Sequence, residues 1–114
     1  MGYSRAARVG TLVFVAGTTG TDAEGRVIGE GDPYAQAFAA LRKIEAALHE
    51  AGAELRHVVR TRMYVTNIDD WQEAGRAHQE FFGAIRPGAT MAQVSRLLDS
   101  TMLVEIEVEA VIDD

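Results

Sequence analysis

Near its end the chain alternates carboxylate with aliphatic: Leu103-Val104-Glu105-Ile106-Glu107-Val108-Glu109. Side chains of a strand project alternately to its two faces. One face therefore carries Glu105, Glu107 and Glu109, and the other Val104, Ile106, Val108 and Ala110. The aliphatic face demands a core. The acidic row needs water, cations or a site to line, because an unanswered charge is costly to bury. The strand thus calls for a sheet with one covered face and a reverse face of mixed character.

The elements around this strand follow from period and punctuation. Tyr3 to Val9 and Thr11 to Ala16 read as two strands joined by a turn at Gly10. Gly17-Thr18-Thr19-Gly20-Thr21-Asp22 reads as a loop, and Arg26 to Ile28 as a short extended piece. Asp32-Pro33 opens a helix, with Asp as N-cap and Pro in the first helical position. That helix is expected to run to Ala51, with Gly52 as its left-handed stop and Ala37, Phe38, Leu41, Ile44 and Leu48 as its buried stripe. Val58 to Thr66 reads as a strand, with Val59, Thr61, Met63 and Val65 on one face and Val58, Arg60, Arg62 and Tyr64 on the other. Asp69 followed by Gln72 predicts a capping box for a second helix. Its apolar side is Trp71, Ala74, His78, Phe81, Phe82 and Ile85, and Arg86-Pro87-Gly88 ends it. Ala89 to Ser95 and Leu103 to Ile112 are the last two strands. The order predicts a single domain over 1–114: an α+β sandwich of two layers, a mixed sheet with both helices on one face. Arg60, Arg62, Tyr64, Val58, Leu103 and Val111 then join the three acids on the reverse face, which reads as a subunit interface where Arg answers Glu.

Composition narrows the function classes. With 17 acidic against 11 basic residues the net charge is −6, and no basic stripe stands out, which argues against a nucleic-acid partner. No cysteine is present, so disulfides, thiolate metal sites and a thiol nucleophile are excluded together. His49, His57 and His78 show no ligand spacing, and no metal or cofactor is expected. The longest apolar run, Leu12 to Ala16, is too short for a bilayer, and Gly2 lacks the Ser or Thr that a myristoylation motif needs where Ala6 stands. A cytoplasmic protein without a membrane partner is the expectation.

Several segments in order, Gly10 to Gly17, Ala35-Gln36-Ala37, Val65-Thr66-Asn67-Ile68-Asp69-Asp70, Phe81-Phe82, Arg86-Pro87 and Val104-Glu105-Ile106-Glu107, resemble the Rid/YjgF family of reactive intermediate deaminases. The resemblance implies a chorismate-mutase-like fold and a homotrimer with small-molecule clefts between subunits. It also implies hydrolysis of enamines or imines to a keto acid and ammonia. Glu105 then matches a water-positioning carboxylate, while Tyr3, Gly17 and Met91 fall on cleft positions. The family's substrate-clamping arginine is replaced by Ala89, and a nearby cysteine position by Met91. Losing a forked arginine–carboxylate contact, two charge-assisted hydrogen bonds of roughly 1.5–3 kcal/mol each, weakens binding about 10²–10⁴-fold. Turnover of small 2-imino acids is therefore expected to be poor, and the pocket to take a larger or less anionic ligand.

Each candidate has a plainer reading. Glu105 is either a general base in a cleft or one half of an ion pair with Arg60 or Arg62, whereas Glu107 and Glu109 are expected to be ion-paired. Gly17 and Thr18 either present backbone N–H groups to a ligand or make an ordinary turn. Tyr3 is a ligand contact or an edge residue, and Phe82 a core side chain or a cleft wall. The rival to a C–N hydrolase is a non-catalytic metabolite-binding or partner-regulating trimer, with RNA cleavage a third idea disfavoured by charge. Arg62 and Arg86 are the stand-ins considered for the missing clamp.

Overall fold

A computed structural model describes residues 1–113. Five strands, β1 (Ala6–Val9), β2 (Leu12–Thr19), β3 (Val58–Val65), β4 (Gly88–Gln93) and β5 (Val104–Val111), form one mixed sheet in the order β1-β2-β5-β3-β4. Only the β3–β4 pair is parallel, and the helix between them makes the required crossover. The helices, α1 (Pro33–Glu50) and α2 (Trp71–Phe82), pack on one face of the sheet, as the two-layer α+β expectation required. The acid-bearing strand β5 lies in the middle, flanked by β2 and β3. No helix among the described residues is long and apolar enough to cross a membrane.

Local chemistry accounts for the boundaries. Gly10 takes φ +59° in the two-residue turn between Val9 and Leu12, where a positive φ suits the twist of a hairpin. Asp32 caps α1 by accepting from the Ala35 amide at 3.1 Å, and Gly52, at φ +85°, follows the helix end. The core gathers Val13, Val15, Leu41, Ile44, Leu48, Met63, Val65, Val104, Ile106 and Val108 between sheet and helices.

Four expectations are corrected. Gly17, Thr18 and Thr19 are not a loop: β2 continues through them by means of a bulge, since Val15 pairs with Val108 but Thr18 with Ile106. A second bulge lies in β3, where Val58 pairs with Ala110 and Arg60 with Glu109. It shifts the phase of alternation, so Val58 is 3% exposed in the core and Val59 is 51% exposed. The Asp69–Gln72 capping box does not form. The chain first makes a 3-10 turn, Ile68–Asp70, capped by the Asn67 side chain accepting from the Asp69 amide at 3.0 Å, and Asp70 precedes α2 without a side-chain cap. Trp71, in consequence, sits on the outer side of the first turn of α2 and is 55% exposed.

Candidate active site around Glu105

The β2 bulge and the second residue of β5 make the site. Glu105 pairs with Thr19 on one side and Tyr64 on the other, so its side chain leaves the sheet on the reverse face. The carboxylate lies against Gly17: a Cβ there would stand 2.9 Å from Glu105 Cδ and 3.0 Å from Oε2. A side chain there would have to push the carboxylate aside, so glycine is what leaves Glu105 in this position, and the bulge carries the backbone to that spot. Burial, and next the neighbouring charge of Glu107, push the Glu105 carboxyl above the ordinary glutamate range, with Arg5 opposing them. A carboxylate so placed is a better proton acceptor than an exposed one.

Arg5, just ahead of β1, stands at the sheet edge, where it lines a groove with Arg8, Ala47 and Glu50 at the end of α1 and reaches the β2 bulge. Its backbone carbonyl accepts from the Ala16 amide at 2.8 Å, which extends the β1–β2 pairing by one rung. Its Nη1 donates to Gly17 O at 3.1 Å and to Thr18 Oγ1 at 3.0 Å, and the guanidinium stands 5.9 Å from the centre of the Tyr3 ring. Thr18 Oγ1 donates in turn to Ala16 O at 2.7 Å, so the buried hydroxyl is satisfied on both sides. Lys43 reaches across from α1 and donates to Thr19 O at 2.9 Å and Thr21 Oγ1 at 2.7 Å. Sequence reading passed over Arg5. The available signal was its place two residues after Tyr3, on the same side of an extended segment.

The rest of the acidic row is held within the chain. Arg62 Nη1 contacts Glu109 at 2.8 Å and Glu107 at 3.4 Å, Arg60 approaches Glu109 at 4.0 Å, and Tyr64 OH donates to Glu107 at 2.8 Å. Among the described residues Glu105 makes no ion pair, because register sets Tyr64 rather than an arginine opposite it. Arg62 is committed to acids and is not a spare clamp.

The remaining candidates lie elsewhere. Ala89 pairs with Thr61 and Met91 with Met63, and both partners are buried toward the helices. Ala89 and Met91 therefore face the helix side of edge strand β4, where with Met63, Gly75 and His78 they line a cleft of about 180 Å³. His78 shares a 2.9 Å hydrogen bond with the buried Thr61 hydroxyl, and burial lowers its pKa. Phe82 is 1% exposed, at 4.8 Å from the His78 ring, and is a core side chain of this chain. Within one copy, then, Glu105 lies against Gly17 on the reverse face, the Thr18 side chain is buried on the side of its partner Ile106, Tyr3 lies beside Arg5, and Ala89, Met91 and Phe82 stand on the helix side.

Residues 1–112 match the family model described as Endoribonuclease L-PSP. The chain belongs to the Rid/YjgF family. Rv2704 of Mycobacterium tuberculosis, a solved member of that family, is 51% identical, with a TM-score of 0.89 over 97% of this chain and 87% of the other. A putative endoribonuclease from Thermotoga maritima is 28% identical, with a TM-score of 0.92 over 98% and 87% of the two chains. Among sequence relatives, SCO2049 of Streptomyces coelicolor is 40% identical over 109 residues, 96% of this chain and 81% of that protein. A RutC family protein of Pyrococcus abyssi is 36% identical over 105 residues, 92% of this chain and 82% of its relative. The five-stranded mixed sheet with two helices is the chorismate-mutase-like fold of these Rid neighbours.

Proposed function

We propose that this Rid-family chain acts in the cytoplasm as a homotrimer that hydrolyses a C–N bond of a small enamine, imine or related compound in clefts between subunits. The observation that carries the reading is Glu105: a half-buried carboxylate, without an ion-pair partner among the described residues, held against Gly17 with its proton affinity raised. In the reaction Glu105 accepts a proton from water as the water oxygen bonds to the imine carbon. Glu105 passes that proton to the nitrogen, then relays the proton of the new hydroxyl to it as the C–N bond breaks, so that nitrogen leaves as ammonia and a carbonyl remains.

A shared cleft accounts for the separation of the two residue groups. Ala89 and Met91 face away from the Glu105 of their own chain, and a neighbouring copy brings one group to the other. The reverse face suits such packing. Phe14 is 44% exposed there, beside a concavity of about 410 Å³ that includes Ala7, Arg62, Glu107 and Glu109. Ring closure by contacts of this kind gives a trimer.

The test couples the protein to a dehydratase that generates 2-aminoacrylate, alongside bulkier enamines, and follows release of the carbonyl product. Glu105→Gln is expected to lower turnover about 10²–10⁴-fold while ligand still binds. Equal turnover by the wild type and the variant overturns the assignment. The second reading, a non-catalytic metabolite-binding trimer, draws on Ala89, which leaves the β4 wall without a cation. It predicts ligand binding with no turnover by either form. RNA cleavage has no basic stripe to support it in a chain of net charge −6.

A further inference from the structure

The surroundings of Glu105 are acidic. Glu105 and Glu107 lie two residues apart on one face of β5, in a chain of net charge −6. An anionic ligand placed there is repelled unless a cation stands close by. Position 89, on the other wall, offers only a methyl group.

The remaining cations are spent or placed elsewhere. Arg60 and Arg62 hold Glu107 and Glu109. Arg8 donates to Gly10 O at 2.9 Å and to Ala51 O at the end of α1 at 2.7 Å. Arg26, Arg56 and Arg76 pair with surface acids, Arg42 lies over Phe38, Arg86 borders a groove with His78 and Pro87 on the helix side, and Arg96 is exposed in the loop between β4 and β5. Lys43 is committed to Thr19 and Thr21.

Arg5 reaches Gly17, the residue against which Glu105 packs. Among the described residues it has no acidic partner within ion-pair distance, and both of its hydrogen bonds leave from Nη1. The contacts to Gly17 O and Thr18 Oγ1 fix the plane of the guanidinium while the Nε–Nη2 edge stays uncommitted. That edge carries the two parallel N–H groups that match a carboxylate. The head group is only partly buried, borders Tyr3, and sits near enough to oppose the rise in Glu105 proton affinity. Its charge is also felt by Lys43, so the bulge end of β2 is a cationic spot on an acidic molecule.

We propose that Arg5 is the anion-binding residue of the Glu105 cleft, so that the ligand's carboxylate is held on the β1–β2 wall beside Glu105 and not on the β4 wall at position 89. The proposal rests on the Glu105 cleft being the ligand site. It revises the expectation of a less anionic ligand: the acid group stays, and the ligand lies the other way round. Arg5 is thereby a specificity-determining residue, which selects anionic over neutral ligands.

The experiment titrates the full-length, ¹⁵N-labelled protein with pyruvate and with its neutral analogue pyruvamide, following amide shifts. The wild type is expected to prefer pyruvate at least about tenfold, the size of one charge-assisted hydrogen bond. Arg5→Gln is expected to abolish the preference, and Arg86→Gln to leave it intact. Arg5→Lys keeps the charge but not the fork. It is expected to lose several-fold in pyruvate affinity with pyruvamide unchanged, and it carries the test if the Gln variant does not fold. No preference in the wild type, a preference that survives Arg5→Gln, or unaltered pyruvate affinity in Arg5→Lys overturns the proposal. Pyruvate bound through Arg5 with no enamine turnover in the dehydratase-coupled assay defeats the hydrolase reading and leaves this one standing. Glu105-dependent turnover with ligand preference indifferent to Arg5 does the reverse.

Discussion

At Glu105, ionisation and packing are coupled. Burial raises its pKa in the folded chain, so between the ordinary glutamate value and the raised one the folded state holds a proton that the unfolded state has released. Stability contributed by this group is therefore present below that window and lost as pH rises through it. Gln at position 105 keeps the shape and does not titrate. The melting temperature of Glu105→Gln relative to the wild type is expected to climb as pH rises above the ordinary glutamate value. A difference that stays flat or shrinks, read by thermal melts across that range, would contradict a carboxylate penalised by burial. The sequence made Glu105 a candidate because it sits in an alternating strand. The expected ion pair with Arg60 or Arg62 does not form because Tyr64, in place of an arginine, stands across the ladder, and local alternation carries no information about cross-strand register.

At the scale of elements, one buried amide ties the site to α1. Gln36 is fully buried on the helix, where its Oε1 accepts from the Leu103 amide at 2.8 Å and its Nε2 donates to Thr101 O at 2.9 Å and Gly29 O at 3.2 Å. It thereby holds the entry to β5 two residues before Glu105. Gln36→Leu fills similar volume but strands three backbone groups in the interior. The expected loss is about 2–4 kcal/mol, measurable by urea unfolding, with faster amide exchange at Leu103 than at the centre of β3. A loss below about 0.5 kcal/mol would mean that water replaces the amide at no cost. Gln36 stood among the residues of the family resemblance, but nothing local explained it. Its partners lie 7, 65 and 67 positions away along the chain.

At the scale of the molecule, the reverse face of the sheet is the proposed meeting surface of subunits. Phe14 pairs with Glu109 across β2 and β5 and leaves much of its ring open. Phe14→Glu adds a like charge opposite that acid and removes an aromatic anchor. Native mass spectrometry of the wild type is expected to give three copies, and of this variant a single copy with its secondary structure retained. A wild type that stays monomeric at micromolar concentration removes the shared cleft, and with it any meeting of Ala89 and Met91 with Glu105.

Much was legible before any coordinates. Aliphatic–acid alternation fixed β5 and its two faces, Asp32-Pro33 and Gly52 bounded α1, and the element order required a two-layer α+β sandwich. These are local patterns, set by backbone period and by the chemistry of caps and turns. Three features waited for the tertiary structure: the bulges that carry Gly17 to Glu105 and send Val58 inward, the register that sets Tyr64 rather than an arginine opposite Glu105, and the arrival of Arg5 at the Gly17 carbonyl. The physical reason is common to all three. A bulge inserts one residue into one strand of a pair, and a side chain's partner is chosen by the strand beside it. Both are properties of two distant segments together, which neither segment encodes alone.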